Sequence, residues 1–145
     1  MVMVGPLLLF QSFGYIFTEI FYDEDISGRG LGIDIVVIIL LKAIVQTTLS
    51  EELFFRGLIG KRIAGKFGYL TGNITQAILF GLPHGLPFIL VYEEYFFGLT
   101  LILTAGIVGY LQFWLNEKRA DGSLFPSILT HSIANIASFL SKALG

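Results

Sequence analysis

Cysteine is absent from the 145-residue chain, and charged residues make up only 14% of it. Without cysteine, the chain has neither disulfide bonds nor thiolate metal ligands. A soluble domain carries about a quarter charged residues, so this chain lacks the side chains that would cover a water-facing surface. The net charge is −2, and nucleic acid is not expected as a partner because there is no basic excess.

Apolar residues account for 54% of the chain, and they fall into five stretches separated by polar breaks. Each stretch is close to the roughly 20 residues that a helix needs to cross a bilayer. The alternation typical of strands is absent. We therefore expect an all-α fold, a polytopic transmembrane bundle of about five helices with a buried active site, forming one membrane domain over residues 1–145. The stretches cover about residues 6–22, 33–59, 73–92, 95–115 and 124–144.

The polar breaks alternate in charge. Acidic residues at 23–25 and 93–94 would lie on one side of the membrane, and basic residues at 61–66 and 118–119 on the other. Basic loops stay cytoplasmic, so we expect a multi-pass protein of the cell membrane with its basic loops and N-terminus inside. Residues 1–10 lack a basic region before the apolar run, so the first stretch is interpreted as a retained helix. Lys42 lies near the outer end of its stretch, from which its long side chain can extend toward the headgroups.

Three charged residues lie deep within the second stretch: Glu51, Glu52 and Arg56. Glu51 is about 15 Å along a helix from Lys61, at a depth where a charge costs at least about 2.5 kcal/mol. Glu52 and Arg56 are spaced i, i+4 and can pair on one helix face. Glu51 is rotated by about 100° from Glu52, so its carboxyl must be neutral or find a partner on another helix.

Both histidines of the chain, His84 and His131, also lie inside apolar stretches. With Asn73 interpreted as an N-cap, His84 lies about 16 Å into the third stretch, and His131 lies about 15 Å into the fifth. Glu51 and the two histidines therefore converge on one depth. Asn135 lies one helical turn beyond His131 on the same face.

A carboxylate and a histidine at one depth can hold and deprotonate a water molecule. A second histidine and an amide can donate hydrogen bonds to a developing oxyanion, and peptide-bond hydrolysis needs both functions. The same residues also suit a metal site in which His84, His131 and a glutamate are three ligands, although the HExxH pattern is missing. From the residues alone, proton or ion transport and a purely structural polar cluster stay open.

Three motifs carry a resemblance to a known family. EELFFR fits EExxxR, FGLPH fits FxxxH and HSIAN fits HxxxN, in that order along the chain. With these motifs the chain resembles the CAAX protease and bacteriocin-processing (CPBP, or Abi) family of intramembrane proteases, which is related to the type II CAAX prenyl endopeptidases. The motif-bearing core covers about residues 33–145. The motif residues are Glu51, Glu52, Arg56, Phe80, His84, His131 and Asn135.

The resemblance implies an intramembrane endopeptidase with a defined role for each motif residue. Glu51 would be the general base, acting with His84 on the attacking water. His131 and Asn135 would stabilise the oxyanion. Glu52 and Arg56 would orient these groups through their ion pair, and direct assistance by Glu52 is an alternative.

The resemblance leaves the cofactor open, because members of this family are described both as glutamate-type and as metal-dependent proteases. A divalent metal such as zinc is therefore one of two alternatives. The expected partners are the lipid bilayer and a peptide or protein substrate, with or without a lipid modification. Two other functions remain as alternatives: a non-catalytic membrane immunity or scaffold protein, and a proton-coupled carrier. Many carriers contain internal repeats, and none is evident here.

Overall fold

The computed structural model describes residues 23–145, and this part of the chain contains four helices and no strand. The chain reverses direction at each short connection, so successive helices are antiparallel. The all-α expectation is therefore confirmed for the described residues, whereas the first predicted stretch, 6–22, lies outside them. The helices are α1 (Ile33–Phe67), α2 (Tyr69–Leu90), α3 (Tyr95–Arg119) and α4 (Phe125–Leu144).

Helix α1 is continuous but changes its winding along its length. Its two ends are α-helical, and Leu41–Leu49 and Glu52–Gly60 between them are π-helical. A π-helix bonds i to i+5 and is wider than an α-helix, so successive side chains point in different directions from those of an α-helix. The helix also runs past the basic residues at which the sequence predicted its end. It ends before Gly68, whose φ of 92° is a conformation that glycine adopts without steric cost.

Glycines bring α2 and α3 into close contact. A Cβ atom on Gly85 would overlap the carbonyl oxygen of Gly98, and one on Gly81 would overlap the carbonyl oxygen of Ile102. Small residues of this kind let two backbones approach without lipid or side chains between them. The resulting hairpin fixes the position of the middle of α2, where the FxxxH motif lies.

Asn73 does not cap a helix, which corrects the sequence-based interpretation. Helix α2 already begins at Tyr69, so Asn73 is inside it and fully buried. The Asn73 amide is satisfied by α3, because its Nδ2 donates to the Tyr110 carbonyl oxygen at 3.2 Å. Counted from the true start of α2, His84 lies about 22 Å along the helix.

The acidic segment before α1 is attached to that helix by an ion-pair cluster. Lys42 Nζ lies 2.8 Å from an oxygen of Asp23 and 2.7 Å from an oxygen of Asp25. Lys42, expected to extend toward the headgroups, thus reaches two carboxylates of the chain itself. The hydrogen bond from Lys42 holds the pKa of Asp25 below its ordinary value of 3.8.

Helices α1 and α3 are long and apolar enough to cross a membrane, with mean hydropathies of 2.0 and 1.7 in their most apolar windows. Only 22% of each window is buried inside the protein. Large apolar side chains point outward instead, as in Ile33, which is 81% exposed, and Phe96, which is 85% exposed. Contiguous apolar surface of this kind is unusual for a soluble monomer.

Candidate active site

The centre of the site is a fully buried ion pair within α1. Arg56 Nε lies 3.4 Å from Glu52 Oε2, and both side chains are 0% exposed. The i, i+4 pair predicted from the sequence is therefore confirmed. Two other helices hold the guanidinium, which lies 3.9 Å from the centre of the Phe80 ring on α2 and donates through Nη2 to Gln112 Oε1 on α3.

His131 on α4 lies between the two glutamates of α1. Its Nδ1 atom is 2.8 Å from Glu52 Oε1, and its Nε2 atom is 3.8 Å from Glu51 Oε2. An imidazole that carries hydrogen on both nitrogens can donate to both sides. The sequence requires Glu51 to be neutral or to find a partner on another helix; His131 lies within ion-pair distance of it, although 3.8 Å is too long for a hydrogen bond.

Several buried polar atoms at this point have no hydrogen-bond partner within the described residues. They are Glu51 Oε2, Glu52 Oε2, and Nε and Nη1 of Arg56. Buried polar atoms in folded proteins are nearly always paired. Because Glu52 Oε2 and Arg56 Nε face each other in the ion pair, Glu51 Oε2 and Arg56 Nη1 are the atoms of this set that can bind a polar ligand.

His84 is hydrogen-bonded to its own helix. Its Nδ1 atom lies 2.7 Å from the Phe80 carbonyl oxygen of its own helix, and the residue is exposed. Within the described residues it forms no ion pair with either glutamate. The centre of the Phe80 ring lies 4.6 Å from that of the His84 ring and 6.1 Å from that of the His131 ring. Both imidazoles therefore pack against one phenylalanine, but only His131 contacts the carboxylates.

Asn135 is held by a residue of α1. Its Nδ2 atom donates to Thr48 Oγ1 at 3.1 Å, and Thr48 is fully buried. Thr48 lies one turn before Glu52, just as Asn135 lies one turn after His131. The HxxxN motif of α4 is thus attached to α1 at two successive turns.

Thr48 and Gln112 belong to this site although no motif predicts them. Both are polar residues within apolar stretches, which is the only sequence signal that they give. Gln112 is 9% exposed and contacts Arg56 across 56 positions of sequence. A contact of this range depends on how the helices pack, so spacing within one stretch cannot reveal it.

The metal ligand set considered from the sequence is not assembled in this arrangement. Among residues 23–145, no group of three histidine, aspartate or glutamate side chains is placed to hold a metal ion. Both nitrogens of His131 face carboxylates, and His84 is directed to the backbone of α2. The donors therefore do not converge on one point, as zinc coordination requires.

A protein-family model described as type II CAAX prenyl endopeptidase Rce1-like matches residues 33–137. The match includes α1, α2, α3 and the part of α4 that carries His131 and Asn135. The chain belongs to the Rce1-like family. This confirms the resemblance that the three motifs indicate. No curated protein and no solved structure matches the chain.

Membership of the Rce1-like family assigns the chain a CAAX-protease-like function, and hence the class of an endopeptidase that acts on a peptide or protein. With its two helices of membrane-spanning length and composition, this Rce1-like chain is a membrane protein. All three motifs of the Rce1-like chain lie within the matched residues, so the family match and the buried cluster concern the same part of the molecule.

Proposed function

We propose that the chain is an intramembrane endopeptidase in which Glu51 activates the water that attacks a peptide bond. The observation that carries the proposal is the position of His131, with one ring nitrogen directed at each of two glutamates on α1. One of these glutamates, Glu52, is fully buried beside an arginine, and the other, Glu51, is 28% exposed. The two carboxylates therefore differ in environment, which suits them to different roles.

Glu51 is the general base in this proposal. Its side chain is 28% exposed, whereas that of Glu52 is 0% exposed, so a substrate reaches Glu51 first. Glu51 Oε2 is itself buried and has no hydrogen-bond donor among the described residues, so it retains the capacity to accept a hydrogen bond from a bound water molecule. A base must be within hydrogen-bond distance of the proton that it removes.

His84 acts with Glu51 on the water, as the family resemblance implies. When Nδ1–H donates to the Phe80 carbonyl oxygen, the other ring nitrogen keeps its lone pair and becomes an acceptor. That bond supports a role in which Nε2 accepts a hydrogen bond. Because His84 is exposed, water can reach its ring.

His131 and Asn135 stabilise the oxyanion of the tetrahedral intermediate. In a ring that carries hydrogen on both nitrogens, the Nε2–H group of His131 is available to a third atom, because Nε2 lies 3.8 Å from Glu51 Oε2, beyond hydrogen-bond distance. Asn135 uses one amide hydrogen on Thr48, which leaves the other for the oxyanion. Removing a single donor of this type costs about 100-fold or more in kcat.

Glu52 and Arg56 position these groups. The Glu52 carboxylate bonds His131 Nδ1, which fixes the ring and determines which nitrogen faces the substrate. Arg56 in turn holds Glu52. The ion pair is buried, so it does not touch the water that reacts.

We also propose that the protein is a multi-pass protein of the cell membrane, with its basic end cytoplasmic. Lys61 donates to the Gly122 carbonyl oxygen, so the basic end of α1 lies beside the turn that follows the basic end of α3. This segregation of basic residues supports the orientation. The substrate, with or without a lipid modification, would reach the site from the bilayer.

The test is cleavage of a peptide panel by the purified protein in proteoliposomes. The panel contains a prenylated peptide with a CaaX tail, the same peptide without the prenyl group, and an apolar membrane peptide, with products identified by mass. The wild-type protein is expected to cleave at least one peptide at a defined bond, and Glu51→Gln is expected to give no product. Glu24→Gln, at an exposed acidic residue outside the site, is the matched control and should cleave normally.

Two results would overturn the proposal: no cleavage of any peptide by folded wild-type protein, or equal cleavage by Glu51→Gln. A parallel incubation with a chelator separates the two alternatives for the cofactor. Activity that is lost on chelation and restored by zinc would show a metal requirement, whereas unchanged activity supports the glutamate-type reaction.

A further inference from the structure

We infer that Thr48 is a positioning residue of the reaction, because its hydroxyl holds the Asn135 amide in the orientation that an oxyanion donor requires. The inference rests on the proposed function and adds to it a residue outside the three motifs. Its basis is the hydrogen bond of 3.1 Å from Asn135 Nδ2 to Thr48 Oγ1, formed where α1 and α4 meet.

The contact belongs to a repeated pattern between two antiparallel helices. On α1, Thr48 and Glu52 are four residues apart, and on α4, His131 and Asn135 are four residues apart. Glu52 bonds His131 and Thr48 bonds Asn135, at 2.8 and 3.1 Å. Each proposed oxyanion donor on α4 is therefore attached to α1 by its own hydrogen bond.

The hydroxyl determines which end of the Asn135 side chain faces the substrate. A primary amide presents two hydrogens at nitrogen and lone pairs at oxygen, and the two ends have nearly the same shape. Because Thr48 Oγ1 accepts one hydrogen of Nδ2, the nitrogen end is fixed and its second hydrogen is held in a defined direction. Without the hydroxyl, the amide can rotate and present its oxygen, which repels an oxyanion.

Thr48 is buried, whereas Thr104 on α3 is exposed. Thr48 is 0% exposed, so water cannot replace its hydroxyl. Thr104, by contrast, is exposed, and its hydroxyl donates to the Thr100 carbonyl oxygen one turn earlier in the same helix. Thr104 therefore serves as a control for removing a threonine hydroxyl from an apolar helix.

The experiment measures kcat and KM of wild-type protein, Thr48→Val, Thr48→Ser and Thr104→Val on whichever peptide the wild type cleaves. Valine has the shape of threonine without the hydroxyl, and serine retains the hydroxyl. Thr48→Val is expected to lower kcat by about 10-fold or more, with KM changed by less than about twofold. Thr48→Ser is expected to recover most of this loss, and Thr104→Val to match the wild type.

A double-mutant cycle with Asn135→Ala separates positioning from general packing. If Thr48 acts through Asn135, Thr48→Val has no further effect on kcat once the amide is gone, because the two changes remove one interaction. A purely structural role predicts instead the same loss in both backgrounds. Long incubations with detection of product by mass give the rates of the slow variants.

Three results would overturn the inference alone: a normal kcat in Thr48→Val, an equal loss in Thr48→Ser, or additivity in the cycle. Failure of the wild-type protein to cleave any peptide, or cleavage by Glu51→Gln, overturns the proposed function and this inference with it. The two failures are therefore distinguishable.

Discussion

Replacing Arg56 by methionine tests how strongly the buried ion pair holds the site together. Arg56 and Glu52 are both 0% exposed, and their charged atoms lie 3.4 Å apart. Methionine fills much of the same volume without a charge. The variant therefore leaves the Glu52 carboxylate buried without its cation.

The expected cost follows from the distance. At an effective dielectric constant of about 20, two unit charges 3.4 Å apart attract by about 5 kcal/mol. Measured losses on removing one partner of a buried pair are about 3 to 5 kcal/mol. We expect Arg56→Met to lower the free energy of unfolding by a similar amount. Adding Glu52→Gln should restore most of it, because the uncompensated charge is then gone.

The assay is reversible unfolding in mixed detergent micelles, followed by circular dichroism. Arg62→Met is the matched control, since Arg62 is exposed and its loss should change the free energy by no more than about 0.5 kcal/mol. The reasoning is refuted if Arg56→Met is as stable as this control, or if Glu52→Gln destabilises the Arg56→Met variant further.

Two further predictions concern the packing of the helices and the segment before α1. Gly85→Ala should lower the free energy of unfolding by about 1 to 3 kcal/mol, because the added methyl group overlaps the backbone of α3. Gly65→Ala, with open space around it, should be neutral or stabilising. Equal changes in the free energy of unfolding for the two variants would contradict the close packing of α2 and α3. Asp25→Asn should lower the unfolding midpoint at neutral pH. Since the pKa of Asp25 is lowered in the folded state, its contribution is complete above the ordinary value of 3.8 and is lost as the pH falls through the lowered value. The difference between variant and wild type should therefore vanish in strong acid, and a difference that persists there would contradict the assignment.

Much of the fold follows from properties that a sequence displays directly. Apolar stretches of membrane-spanning length predict helices, and the helices begin and end within a few residues of the expected positions, except where α1 continues to Phe67. The spacing of Glu52 and Arg56 predicts their ion pair, because both lie on one helix. The depth of Glu51 in an apolar stretch predicts that its carboxyl is neutral or has a partner on another helix. Each of these inferences uses distance along a single helix.

The sequence could not show which way each side chain turns around its helix. Depth alone treats His84 and His131 as equivalent partners of Glu51, yet within residues 23–145 His131 is the histidine that forms ion pairs with the glutamates of α1. The π-helical winding of α1 changes the direction of its side chains. On α2, the His84 ring is hydrogen-bonded to the Phe80 carbonyl oxygen of its own helix. Gln112 contributes through packing between helices, which no spacing within one stretch encodes.

The measurement that tests the central claim most directly is isotope incorporation during cleavage in water enriched in oxygen-18. If Glu51 activates a water molecule, one heavy oxygen enters the new C-terminal carboxyl group of the product, and its mass rises accordingly. We expect this label with the wild-type protein and with Glu24→Gln, and no labelled product with Glu51→Gln. Labelled product from Glu51→Gln at the wild-type rate would contradict the account.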